Sequence, residues 1–312
     1  MRARTALPLS AVAAVALLAG CTTASEDLAA PAGGGASADA SAAPTAPAFD
    51  ASTLEADPEL AALVPEDVAE DGVLTVGAEL SYAPAEFLAP DGVTPVGFDV
   101  DIAHAVAATL GLEAEVEPST FDAIIPAVGT KYDVGISGFT IDAERLQLAH
   151  MVSYFDAGSQ LAVAAGNPDG VDAGDLCGTT VGVQTGTVQQ GALDEASAAC
   201  EADGADPVEV LPYDSQADVT TNLVGGKVQA MYADSPVTAY AVEQTGGAVE
   251  TLGDITDAAP YGVVVAQDDD ALAEAVQGAL QQLMDDGTLT EILDGWGNAE
   301  GALSTAELDP SV

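Results

Sequence analysis

The chain has 312 residues, enough for one two-lobed unit or two ordinary domains, and 48% of them are hydrophobic, too many for a disordered chain. It carries 51 acids against five basic residues, a formal charge of −46, which excludes nucleic acid as a partner because phosphate binding needs a basic face. Acids this dense repel one another at low salt, so a salt-rich habitat is expected.

Arg2 and Arg4 precede an apolar run from Ala6 to Ala19 that ends in small residues, the pattern of a secretory signal over residues 1–20. It is too short to remain as a membrane span. "LAGC", residues 18–21, looks like the lipobox of bacterial lipoproteins, with cleavage before Cys21 and acyl chains on its sulfur. Two or more chains anchor stably where one does not. The expected location is therefore the outer face of the bacterial cytoplasmic membrane, with a lipid-anchored, extracytoplasmic body. Residues 21–56 are rich in Ala, Ser, Gly, Pro and Thr without an apolar period, and read as a flexible tether.

The folded body is expected from Asp57. "GVLTVGAEL", 72–80, reads as a buried strand, and "GFDVDIAHAVAATLG", 97–111, as a helix with Ile102, Val106 and Leu110 four apart and Gly111 at its stop. "LEAEVEP", 112–118, alternates as a strand. Residues 121–140 read helix, turn, strand, then a loop of Gly, Ser and Thr. The order implies a largely parallel sheet. The pattern recurs in a strand at 178–187, a helix at 188–199, and helix, turn and strand across 215–236. "VGTKYDVGIS" and "VGGKVQAMYA" correspond, so the body has two similar α/β halves, the second starting near residue 161. A strand at 261–267 and a helix at 268–287 follow, with Asp268–Asp270 read as a helix cap. Ligands of open parallel sheets lie beyond the carboxyl ends of the strands, so the loops at 76–87, 137–145, 185–188 and 232–236 should share one cleft.

Cys177 and Cys200 form an even pair in an exported chain, most simply one disulfide contributing about 3 kcal/mol. A reactive thiol or metal pair is the alternative, unsupported by further Cys or nearby His. His104 and His150 read as structural, and neither HExxH, GxSxG nor a Walker A sequence occurs. No catalytic residue, metal site or cofactor is expected. With Arg2 and Arg4 in the signal, Arg145 is the sole arginine of the mature chain. It lies in the cleft beside Ser137 and Thr140, and a guanidinium is a planar fork matched to a carboxylate. A surface salt bridge is the competing reading.

"GFDVDIAHAVAATLG", "AIIPAVGTKYDVGISGFTIDAERL", "VGVQTGTVQQ" and the closing "DDGTLTEILDGWG" resemble the polar amino-acid-binding proteins of ABC importers, from about residue 60 to 300. The resemblance implies a type II periplasmic-binding-protein fold, with each lobe a largely parallel sheet flanked by helices and two hinge strands between them. Residues 57–160 and 262–302 would form lobe 1, and 161–261 lobe 2. It implies that Arg145 clamps an α-carboxylate with Thr140, Thr187 and the Val188 N–H. Asp234 and the Gly138 carbonyl would hold the ammonium, beside Ser137. Tyr82 and Phe121 would wall the side chain, and Glu79 would touch its far end. The partners implied are a small amino acid and the permease with its ATPase, the protein itself being a monomer. An acidic ligand would need a second cation, yet Lys131 and Lys227 fall in turns away from the cleft. Glutamine, histidine, lysine or arginine is expected. Two readings stay open beside these, a zwitterionic compatible solute such as ectoine and a dehydratase on the same fold using Asp234 or Glu79.

Overall fold

The computed structural model describes residues 49–312. The signal segment, Cys21 and most of the tether lie outside the described residues. Residues 49–56, read as part of the tether, belong to the folded body. Asp50 caps a 3-10 turn at Ala51–Thr53, and Phe49 and Leu54 pack against the core. Two apolar residues in a run of small ones carry no period, so the sequence hid them.

Two short helices follow, α1 (Pro58–Ala61), capped by the Asp57 carboxylate, and α2 (Glu66–Ala69). Then come β1 (Val73–Ala78), a small antiparallel sheet of β2 (Ser81–Tyr82), β3 (Glu86–Leu88) and β4 (Pro95–Val96), and helix α3 (Phe98–Thr109). Strand β5 (Glu113–Pro118), α4 (Phe121–Ile124) and the short β6 (Val134–Gly135) complete the first unit. The long β7 (Ala149–Ala164) leads to β8 (Thr180–Gln184), α5 (Val188–Asp203), β9 (Glu209–Tyr213), α6 (Gln216–Val224), β10 (Ala230–Asp234) and α7 (Ser235–Gln244). The equally long β11 (Val249–Ala266), then α8 (Asp270–Asp285) and α9 (Thr288–Gly295), return the chain to the first unit.

Eight strands join in the order β5-β1-β6-β11-β7-β10-β8-β9. At each end lies a parallel trio, β5-β1-β6 and β9-β8-β10. Between them β7 and β11 run antiparallel through both lobes, 16 and 18 residues long, or about 50 Å of extended chain. Their register shifts between Leu252 and Thr256, between Thr256 and Ala259, and between Tyr261 and Gly262. These irregularities mark the crossing from one lobe to the other. The two-lobed fold and its hinge strands are as the resemblance implied. The sequence showed only the last third of β11 as a strand and left β7, β9 and α7 unassigned. The first two thirds of β11 carry Gly253, Asp254, Asp257 and Pro260, which read as loop.

The larger core lies between the first sheet, α3, α8 and α9. Asp269 accepts from the Leu272 N–H at the start of α8, the cap expected of that acidic run. Residues 302–309 return along β7, with Ala302 bridging Phe155 and Leu308 bridging Val152. Cys177 and Cys200 form a disulfide that ties the approach to β8 onto α5, leaving neither sulfur as a thiol or metal ligand. No helix among the described residues is long and apolar enough to cross a membrane.

Candidate functional site

The cleft lies where the loops after β1, β6, β8 and β10 meet. Beyond β6, Asp142 accepts from the N–H groups of Glu144 and Arg145 at 2.8 Å each, which turns the chain and aims Arg145 inward. The guanidinium is buried, donating to the Thr140 carbonyl at 2.7 Å and across the cleft to the Gly186 carbonyl at 3.2 Å. Its Nε lies 3.6 Å from the Asp142 carboxylate. Below it stack Phe121 and Phe139, with centroids 4.6 Å apart and 5.4 and 5.7 Å from the guanidinium carbon. Burial draws the arginine's pKa down, and the charges of Asp142 and Asp234 and the Tyr82 hydroxyl oppose that. A guanidinium this enclosed is not a surface salt bridge.

Facing it is the start of α5. Thr187 caps the helix, accepting from the Gln190 N–H at 3.2 Å and donating to the Gln184 carbonyl at 2.8 Å. Val188 is the first helical residue, and its N–H has no partner inside the helix. Gly186 sits at φ +80, and a Cβ there would come within 2.9 Å of Asp122 Cβ in the other lobe. The turn and the close approach both require glycine.

Asp234 ends β10, buried. It accepts from the Tyr82 hydroxyl at 2.7 Å and from Gln189 Nε2 at 2.8 Å. Gln189 is held in turn by Ser159 Oγ at 2.8 Å. Burial raises the aspartate's pKa, while the hydroxyls of Tyr82 and Tyr261, the Gln189 amide and the Arg145 charge pull it down. At the other end of the cleft Glu79 is buried as well. It accepts from Ser81 Oγ at 2.8 Å and from Gln184 Nε2 of the opposite lobe at 2.9 Å. Burial raises its pKa, with the Ser81 and Gln184 hydrogen bonds opposing. Ser81 also receives the Ser215 hydroxyl and the Gln216 N–H, each at 3.0 Å. Gln184 Oε1 and both amide atoms of the Gln216 side chain are buried without hydrogen-bond partners.

Arg145, Thr140, Gly138, Thr187, Val188, Asp234, Glu79, Tyr82 and Phe121 lie around this cleft. Ser137 differs, because its hydroxyl turns into the protein to Glu86 at 2.6 Å and receives the Glu79 N–H at 2.9 Å. Sequence reading missed Gln184, Gln189, Ser81 and Gln216. They are uncharged, and the only signal was that Gln184 and Gln189 flank the "TGT" loop. Lys131 pairs with Glu117 at 3.5 Å and Lys227 lies over the Tyr213 ring at 5.2 Å. Five surface cavities of 400 to 550 Å³ lie elsewhere, none lined by Arg145 or Asp234. The lobes are shut on each other by the bonds just described.

Residues 74–299 match the model of the bacterial extracellular solute-binding proteins, family 3. The chain belongs to this family. It is 38% identical over 254 residues to the arginine-binding protein ArgT of Corynebacterium glutamicum, covering 80% of this chain and 82% of that protein. It is 30% identical over 236 residues to the L-cystine-binding protein TcyJ of Escherichia coli, covering 75% and 85% respectively. Among solved structures, an ancestral arginine-binding protein bound to arginine aligns with a TM-score of 0.66 at 33% identity, covering 72% of this chain and 98% of that one. These relatives are binding proteins, and this chain is an extracytoplasmic solute-binding protein of the same type.

Proposed function

We propose that the protein is the amino-acid-binding subunit of an ABC importer and that its cargo carries a cationic side chain, arginine foremost. The observation that carries the cationic choice is Glu79, a buried carboxylate answered only by hydroxyl, amide and N–H donors and set beside the unpartnered Gln184 Oε1. A guanidinium supplies the positive charge and the donors that these acceptors lack. A ligand carboxylate at that end would meet Glu79 with no second cation. The relatives that bind arginine point the same way.

In this reading Arg145, Thr140, the Thr187 loop and the Val188 N–H hold the α-carboxylate. Asp234 and the Gly138 carbonyl hold the ammonium, and Tyr82 and Phe121 flank the aliphatic chain. Residues 57–160 and 262–302 form lobe 1 and 161–261 lobe 2, which the course of β7 and β11 supports. Ligand binds one lobe of the open form, and contacts from the other select the closed form that a permease reads. With Asp234 holding the ammonium beside the Tyr82 and Gln189 donors, it is occupied as a binding group, which argues against acid–base chemistry there. We place the monomeric body on the outer face of the cytoplasmic membrane, tethered through acylated Cys21.

Calorimetric titration with arginine, lysine, ornithine, glutamine, cystine, ectoine and glutamate tests this. Arginine is expected to bind at micromolar Kd or tighter, about −8 kcal/mol, and glutamate not at all. Preference for glutamate overturns the charge argument, and binding of ectoine alone removes the amino-acid reading. Turnover of a cyclic acid such as arogenate restores the dehydratase.

A further inference from the structure

Two further acids lie beneath the cleft, under Ser137 and Gly138. Glu86 and Asp99 are both buried, at 0% and 1% exposure, and no Lys, Arg or His among the described residues pairs with either. The backbone forces them together. The N–H groups of Phe98 and Asp99 donate to the carbonyls of Pro84 and Ala85 at 3.1 and 2.9 Å. Gly97, at φ +135, passes so near that a Cβ would lie 2.0 Å from the Ala85 oxygen. Two adjacent ionised carboxylates without a cation in so dry a place are prohibitively costly.

The donors divide unequally. Asp99 accepts the Tyr154 hydroxyl on Oδ1 at 2.7 Å and the Gly138 N–H on Oδ2 at 2.8 Å. Glu86 accepts only from Ser137, on Oε1 at 2.6 Å, and its Oε2 receives no donor. Asp99 is thus equipped as the carboxylate, and Glu86 Oε2 is the atom left to carry a proton.

We propose that Glu86 and Asp99 share one proton and that this pair positions the ligand-binding loop, through Ser137 and Gly138. The proposal rests on the reading above that Gly138 faces the ligand ammonium. While the proton is held, Ser137 and Gly138 are each bonded to one member of the pair. When it is lost, two like charges confront each other and the loop shifts. The remaining titratable groups facing the pair are Glu79, Tyr82 and Tyr154, none of them a cation. Burial, and next the Asp99 charge, push Glu86 well above the usual carboxylate range, and burial lifts Asp99 to about 6 against the Tyr154 and Gly138 hydrogen bonds. Both pKa values are raised on folding, so the pair's penalty grows as pH rises, and affinity falls on the alkaline side.

The test uses the full protein, arginine as probe, and two readouts across neutral to alkaline pH, affinity and the infrared carbonyl band of a neutral carboxylic acid. The band is expected in the wild type at neutral pH, absent in Glu86→Gln, and lost in step with affinity as pH rises. Glu86→Ala should weaken binding about tenfold. Glu86→Gln, whose amide N–H replaces the acid O–H, should recover it to within about threefold and remove the alkaline fall. Should Glu86→Ala fail to fold, Glu86→Gln and the wild-type band carry the test. Arginine bound by a wild type that lacks the band overturns the pair, as does a band whose loss leaves affinity unchanged. A wild type with the band but no arginine affinity at any pH overturns the ligand assignment instead.

Discussion

The two ends of the cleft solve the problem of a buried charge differently. At one end Arg145 and Asp234 bring opposite charges from opposite lobes, the arginine over two stacked rings and the aspartate under a tyrosine and a glutamine. At the other, Glu79 stands as one charge with only a serine and a glutamine to answer it. On the proposed reading the first end matches what every amino acid possesses, a carboxylate and an ammonium. The second has one sign only and selects the side chain. Affinity should therefore reside mainly at the first end and discrimination at the second.

Removing either charge at the first end should have the largest effect. Arg145→Ala and Asp234→Ala are each expected to cost about 2–5 kcal/mol of binding, at least about thirtyfold, because the partner charge stays buried and unanswered. Calorimetry measures this, and circular dichroism checks that the fold persists. Unchanged affinity in either variant removes that residue from the site. Glu79→Gln keeps size and hydrogen bonding while deleting the charge. It should weaken arginine binding about ten- to a hundredfold, the worth of hydrogen bonds to a charged group. Glutamine should change by no more than about threefold. If arginine and glutamine weaken alike, the two ends do not divide the work as described.

The same contrast explains what the sequence made legible. Arg145 stood out because it is the one arginine beyond residue 4 in a chain with 51 acids. Asp234 and Glu79 came from the family resemblance, since in a chain this acidic nothing in their own surroundings singled them out. Gln184 and Gln189 carry no charge and belong to no period, so nothing in the chain distinguished them from surface amides until their hydrogen bonds to Glu79 and Asp234 were seen. The first parallel trio, and β8 and β10 of the second, were legible because strand and helix alternate there, whereas β9 was not. Strand β7 and the first two thirds of β11 were not, because the pair changes register and collects Gly and Asp, with Pro in β11, where the chain crosses between lobes. Glu86 and Asp99 were hidden more thoroughly still, in a chain where acids are everywhere.

His150 lies outside both ends and offers a test of their independence. It is clamped between Asp309 at 2.7 Å and Asp270 at 3.1 Å, joining the returning C-terminal segment to the start of α8. Burial pulls its pKa down, but the hydrogen bond and charge of Asp309, with those of Asp270, outweigh it and leave the pKa raised above 6.5. A raised histidine pKa means that the folded state binds the extra proton. The contribution is therefore complete below the unfolded pKa near 6.5 and disappears as pH rises through the folded value. Solvent screens the exposed Asp270 carboxylate, so the effect should be about 1 kcal/mol or less. Melting temperature should decline over that window in the wild type and lose the step in His150→Gln. Arginine affinity should not follow it. An affinity that tracked His150 would mean that the C-terminal strap along β7 biases closure, and the cleft's two ends could then no longer be treated apart from the hinge.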